Sequence, residues 1–108
     1  MSTVQVERHI EKALRTQVEK LGGKCFKWVS PSNNGVTDRI CIVRGQVWFV
    51  ELKKPRGSRT SALQVQFGEW LVGQGQNYAK IQNLEQVFKL IEKIIENELP
   101  TKTLPDGR

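Results

Sequence analysis

The chain has 108 residues, with 17 Lys+Arg against 11 Asp+Glu (formal charge +6) and 38% hydrophobic residues. That length suits one modest core. No apolar run approaches the roughly 20 residues of a membrane span, and a single histidine, His9, argues against a His-rich zinc site and against Ser-His or Cys-His catalysis. The expectation is one intracellular, cytoplasmic domain over residues 1–98, without a secretory leader and with a surface suited to a polyanion, followed by a flexible tail over 99–108.

Residues 3–22 read as an amphipathic helix, with Ile10, Leu14, Val18 and Leu21 at helical spacing and Gly22-Gly23 at its end. A strand over 24–30 follows, with Phe26 and Trp28 on one face, and then the turn-rich SPSNNG loop from Ser30 to Gly35. Residues 38–44 and 46–53, rich in Ile, Val, Trp and Phe, predict a hairpin around Arg44-Gly45. A basic loop from Lys54 to Arg59 leads to a helix from about Ser61 to Val72, expected to bury Leu63, Phe67, Trp70 and Leu71. After Gly73 and Gly75 comes a short strand, Tyr78 to Gln82. Asn83 with Gln86 caps the last helix, whose predicted stripe is Leu84, Val87, Phe88, Ile91, Ile94 and Ile95. The order is αβββαβα, an α/β class with a mixed central sheet flanked by helices. Cys25 and Cys41 lie inside strands without CxxC spacing and read as small buried hydrophobes. Trp28, Trp48 and Trp70 sit in apolar-periodic segments and read as core rather than as stacking platforms.

The segment from Gly35 to Lys53, GVTDRICIVRGQVWFVELK, carries the chemistry. A two-residue loop with Gly second is a favoured type I′ connection. If Arg44 and Gly45 form it, Asp38 lies opposite Glu51, and alternation puts Lys53 on the same face. A three-residue loop would move Asp38 opposite Leu52 and break the constellation. Glu51 follows a run that reads as buried, so an acid there needs a partner. Glu7 lies near the Ile10–Leu14–Val18–Leu21 seam, where it either seeks a cation or complements the helix dipole from solvent. Glu11 at the seam's edge reads as a surface partner of Arg15 at i+4. Lys53, Lys54, Arg56 and Arg59 form a cationic stretch suited to phosphates, or a solvated connection. Ser61-x-x-Gln64 has the spacing of a capping box, which accounts for both residues without function.

Five ordered landmarks resemble a known family: Glu7-x-x-Ile10 with Leu21-Gly22-Gly23, Lys27-x-x-Ser30-Pro31, Gly35-Val36-Thr37-Asp38-Arg39, Val50-Glu51-Leu52-Lys53, and Ser61-x-x-Gln64. From about Glu7 to Val87 the chain is similar to a stand-alone, phage-like VRR-NUC (virus-type replication-repair nuclease) domain of the PD-(D/E)xK superfamily. Thr37 departs from the pattern, which usually has proline before the aspartate. The resemblance implies a restriction-endonuclease-like core and a DNA endonuclease dependent on Mg²⁺ or Mn²⁺. It makes Asp38, Glu51 and the Leu52 backbone carbonyl metal ligands, with Glu7 a further acid of the site. Lys53 becomes the catalytic lysine and Gln64 an active-site residue. Lys27, Ser30 and Arg39 within the landmarks, with Lys54, Arg56 and Arg59 of the loop, are the candidate DNA contacts. Analogy with short phage members suggests a homodimer resolving Holliday junctions. The alternatives are a flap or single-strand nuclease of the same family and a non-catalytic DNA-binding accessory module.

Overall fold

The computed structural model describes residues 3–28, 39–53 and 62–99, with the side chains of residues 3–7 outside that description. Its elements are α1 (Thr3–Lys20), β1 (Lys24–Lys27), β2 (Arg39–Val43), β3 (Gln46–Leu52), α2 (Ala62–Gly73), β4 (Asn77–Ile81) and α3 (Leu84–Glu96). This is the αβββαβα order read from the sequence. The strands lie side by side as β1-β2-β3-β4, antiparallel except for the parallel pair β3–β4. A parallel neighbour requires a crossover, and α2 is that crossover. Among the described residues, no helix is long and apolar enough to cross a membrane.

The hairpin turn sets the register of the sheet. Val43 pairs with Gln46, leaving Arg44 and Gly45 as the loop. Both have positive φ, 52° and 78°, as a type I′ turn demands. A left-handed arginine is uncommon, and its groups are held from several sides. Arg44 Nε donates to the Leu21 carbonyl at 3.1 Å, Nη1 donates to Glu98 at 3.0 Å, and the Arg44 carbonyl accepts from the Leu99 N–H at 3.2 Å. Leu99 is thus tied to the turn, and a side chain at Gly45 would meet its Cβ at 2.9 Å. The rest of the expected tail, residues 100–108, lies outside the described residues.

Alternation along β3 divides the sheet. Trp48, Val50 and Leu52 face a core shared with Ile10, Leu14 and Val18 of α1, Cys41 and Val43 of β2, Ile81 of β4, and Val87, Leu90, Ile91 and Ile94 of α3. Each such side chain contributes about 1.5–3 kcal/mol of apolar transfer. Gln46 is buried within this layer and is satisfied at both ends: its Oε1 accepts from Trp48 Nε1 and its Nε2 donates to the Ile94 carbonyl, each at 2.8 Å. Phe49, Glu51 and Lys53 point the other way, toward α2.

Two expected stripes are corrected. On α3, Val87, Leu90, Ile91 and Ile94 are buried, while Leu84, Phe88 and Ile95 are about half exposed. The apolar positions span more of the helix than one sheet can cover, so packing selects a rotation that includes Leu90. On α2, Leu71 is buried and Phe67 half-buried, but Leu63 and Trp70 are 52% and 57% exposed. The helix instead lays Gln64, Gly68 and Leu71 against the sheet. Asn83 caps α3 as expected, its side chain accepting from the Gln86 N–H at 2.8 Å. Gln86 Oε1 returns the favour to the Gln82 N–H.

Candidate active site

The last turn of β3 and the first turns of α2 converge on the α2 side of the sheet. Glu51 has no solvent exposure, whereas Lys53 and Gln64 are partly buried. Lys53 Nζ donates to Gln64 Oε1 at 2.7 Å. The capping box expected of Ser61-x-x-Gln64 falls on Ser61, which lies outside the described residues. Glu51 Oε2 accepts from the Tyr78 hydroxyl at 3.2 Å. Taking a carboxylate fully out of water is costly without such partners.

Neither Tyr78 nor Gly68 stood out in the sequence. The β3–β4 register pairs Phe49 with Tyr78 and Glu51 with Lys80, so Tyr78 rises on the α2 side next to the acid. Its ring lies against α2 at Gly68, where an added Cβ would stand 2.9 Å from the ring Cζ. The only usable signals were a glycine inside an otherwise sound helix and the chain's single tyrosine. Beside them runs a tilted aromatic series: Trp28 with Phe49 (centroids 5.8 Å apart), Trp28 with Phe67 (6.1 Å), and Phe67 stacked on Trp70 (5.9 Å). Trp28 and Phe67 are half-buried and Trp48 is core, but Trp70 is on the surface, a correction to its reading as core.

The remaining expected residues separate into groups. Glu7 lies on α1, and its side chain is outside the description, as are Asp38, Ser30, Lys54, Arg56 and Arg59 altogether. Lys27 is exposed at the end of β1. The Leu52 side chain is in the core. Arg39 pairs with Val50, which places it on the α1 side of the sheet, where its Nε approaches Glu11 at 3.9 Å. Glu11 also reaches Arg15 at 4.0 Å, the surface pairing expected of it. Cys25 and Cys41 are free thiols directly across β1 and β2, Cys41 buried and Cys25 half-buried. The hydrogen bond from Cys41 holds the Cys25 thiol below the usual cysteine range. The same contact, with burial, pushes Cys41 far above it.

Among the described residues no three His, Cys, Asp or Glu side chains gather as a metal-binding group. Mg²⁺ and Mn²⁺ do not require one: they take one or two hard carboxylates and fill the rest of the shell with water and phosphate oxygens. Glu51 with one further acid fits that demand. Its neighbour Lys53, held at 2.7 Å by Gln64, adds a fixed positive charge for an anionic reacting group.

No protein-family model matches the chain. A solved structure described as a VRR_NUC domain superposes with a TM-score of 0.71 at 29% identity, covering 86% of this chain and 97% of that one. A protein of Acyrthosiphon pisum secondary endosymbiont phage 1, named "Putative nuclease p44", is 46% identical over 50 residues. That match takes in 45% of this chain, which spans about half (54%) of the phage protein's length. Sequence landmarks and three-dimensional likeness agree: over most of its length the chain resembles a VRR_NUC domain in sequence and fold, and over 50 residues it resembles a phage protein named as a putative nuclease.

Proposed function

We propose that the domain is a divalent-metal-dependent DNA endonuclease that hydrolyses phosphodiester bonds, with Asp38 and Glu51 as carboxylate ligands and Lys53 as the catalytic ammonium. The observation that carries this reading is a fully buried Glu51 two positions from a partly buried lysine on the same sheet face. Packing alone gives no reason to bury an acid and an amine there. The Arg44-Gly45 turn supports the role of Asp38: carried one pair beyond Arg39–Val50, the same ladder would set Asp38 opposite Glu51.

A bound Mg²⁺ or Mn²⁺ would polarise the scissile phosphate and lower the pKa of the attacking water. Glu51 and Asp38, with Glu7 and the Leu52 carbonyl, would hold it. Lys53, donating through Nζ and steadied by Gln64, would balance the charge that develops on the phosphate oxygens. Lys27, Ser30, Arg39, Lys54, Arg56 and Arg59 are the candidate contacts to the DNA backbone.

The preferred substrate in this reading is branched DNA, resolved by a homodimer. One subunit presents one cutting site, and the two symmetric incisions of a four-way junction call for a C2 pair. The surface suited to a second copy is the outer side of α2. Val65, Trp70 and Val72 are exposed there, Glu69 is the helix's one charged residue, and the adjoining groove is lined by that acid and by Lys80. A face with one acid and one base, in a chain of charge +6, fits a copy of itself better than it fits a polyanion.

The test is nicking of labelled junction, flap, duplex and single-stranded DNA in Mg²⁺ or Mn²⁺, with and without EDTA. Cleavage should vanish with EDTA and fall by about 100-fold or more in Asp38→Ala and in Lys53→Ala. Undiminished cleavage by both variants overturns the site. Preference for flaps moves the substrate to the family alternative, and tight binding without cleavage indicates an accessory module. Sedimentation as a monomer with and without junction DNA refutes the dimer.

A further inference from the structure

Glu51 is held by a side chain that no landmark of the sequence includes. Tyr78 comes from β4, and its hydroxyl donates to Glu51 Oε2 at 3.2 Å. The same ring forms part of the wall of a groove of about 480 Å³ between α2 and β4, lined also by Val65, Gly68, Glu69, Val72 and Lys80. Tyr78 therefore stands between this groove and the acid. It can do so because position 68 has no side chain: a Cβ there would lie 2.9 Å from the ring Cζ, 3.0 Å from Cε2 and 3.3 Å from Cε1. Such contacts cannot be met without moving the ring. Gly68 is also one helical turn after Gln64, so one face of α2 serves both members of the Glu51–Lys53 pair, through Tyr78 for the acid and directly for the amine.

Resting on the nuclease reading above, we infer that Tyr78, seated in the slot left by Gly68, is a positioning residue for the metal site. Its hydroxyl fixes the rotation of the Glu51 carboxylate and so sets which oxygen is presented to the divalent ion, while its ring separates the acid from the groove. A hydrogen-bond donor behind a ligating carboxylate orients the ligand, and its loss typically weakens metal binding or activity about 10- to 100-fold.

The experiment is calorimetric titration of the full chain with Mn²⁺ alone, alongside nicking rates measured across a range of Mn²⁺ concentration. Tyr78→Phe keeps the ring and removes only the hydroxyl. It is expected to weaken Mn²⁺ binding about 10- to 100-fold and to raise the half-saturating Mn²⁺ for nicking in step, with most of the rate recovered at saturation. A purely structural role would not produce that split. Gly68→Ala should weaken binding by displacing the ring, and adding Tyr78→Phe to it should cost little more, because both act through one bond. If Gly68→Ala does not fold, Tyr78→Phe decides the matter by itself. Mn²⁺ affinity of Tyr78→Phe within about two-fold of the parent, with Glu51→Gln unable to bind, overturns the inference and leaves the nuclease reading intact. Binding and cleavage by Glu51→Gln at the parent's level overturn both.

Discussion

The bond between Lys53 and Gln64 gives the sharpest prediction about activity. At 2.7 Å from Nζ to Oε1 it is a short, charge-assisted contact between partly buried groups. Hydrogen bonds to charged groups contribute about 1.5–3 kcal/mol in protected settings, and partial exposure reduces that here to about 1–2 kcal/mol. In Gln64→Ala the ammonium regains its rotamers, so that energy is lost where the charge must be aimed. The expected result is a fall of about 5- to 30-fold in the single-turnover rate on branched DNA at saturating Mg²⁺. Lys53→Ala should fall further, by about 10²- to 10³-fold, as for other removed transition-state donors. Gln64→Ala introduced into Lys53→Ala should then cost almost nothing, because the amide has no ammonium left to aim. Losses that simply add, to within about 0.5 kcal/mol, would show that Gln64 acts independently of Lys53 and would refute this account.

Three further outcomes follow from other parts of the fold. Gln46→Leu keeps the volume but strands the Trp48 indole N–H and the Ile94 carbonyl. It should cost about 2–4 kcal/mol and lower the thermal midpoint by roughly 10–20 °C; a midpoint within about 3 °C of the parent would contradict the bridge. With its thiol held below the ordinary range by the Cys41 hydrogen bond and less buried than Cys41, Cys25 should be alkylated by iodoacetamide near neutral pH. Cys41, buried and pushed upward, should stay unmodified in the folded protein, and mass spectrometry showing the reverse order would contradict the pairing. If Lys54, Arg56 and Arg59 grip phosphates, DNA affinity measured by anisotropy should fall steeply from low to moderate salt, and each charge removed should flatten that slope by about one unit. A flat response would dismiss the basic loop as a DNA contact.

Much of the architecture was legible in the sequence because it depends on local periodicity. The Ile10–Leu14–Val18 seam and the Asn83 cap are properties of one helix each, and the structure has both. The two-residue Arg44-Gly45 turn follows from glycine's tolerance of positive φ, and the turn in its own right fixed the pairing of β2 with β3. Because side chains alternate strictly along a strand, Glu51 and Lys53 had to share a face once β3 was recognised.

Contacts across long stretches of chain were a different matter. Which apolar residues α2 and α3 would bury depended on how each helix rotates against a sheet it does not adjoin in sequence. Hence Leu63, Trp70, Leu84, Phe88 and Ile95 were expected inside and lie outside. Tyr78 is 27 positions from Glu51, and no periodicity connects them; the parallel crossover through α2 brings β4 beside β3, and the missing side chain at Gly68 makes room for the ring. The sequence by itself determined that Glu51 and Lys53 share a face, since alternation along one strand is set within a few residues. Tertiary packing alone decided what surrounds them, because that depends on the angle and depth at which distant segments come to rest.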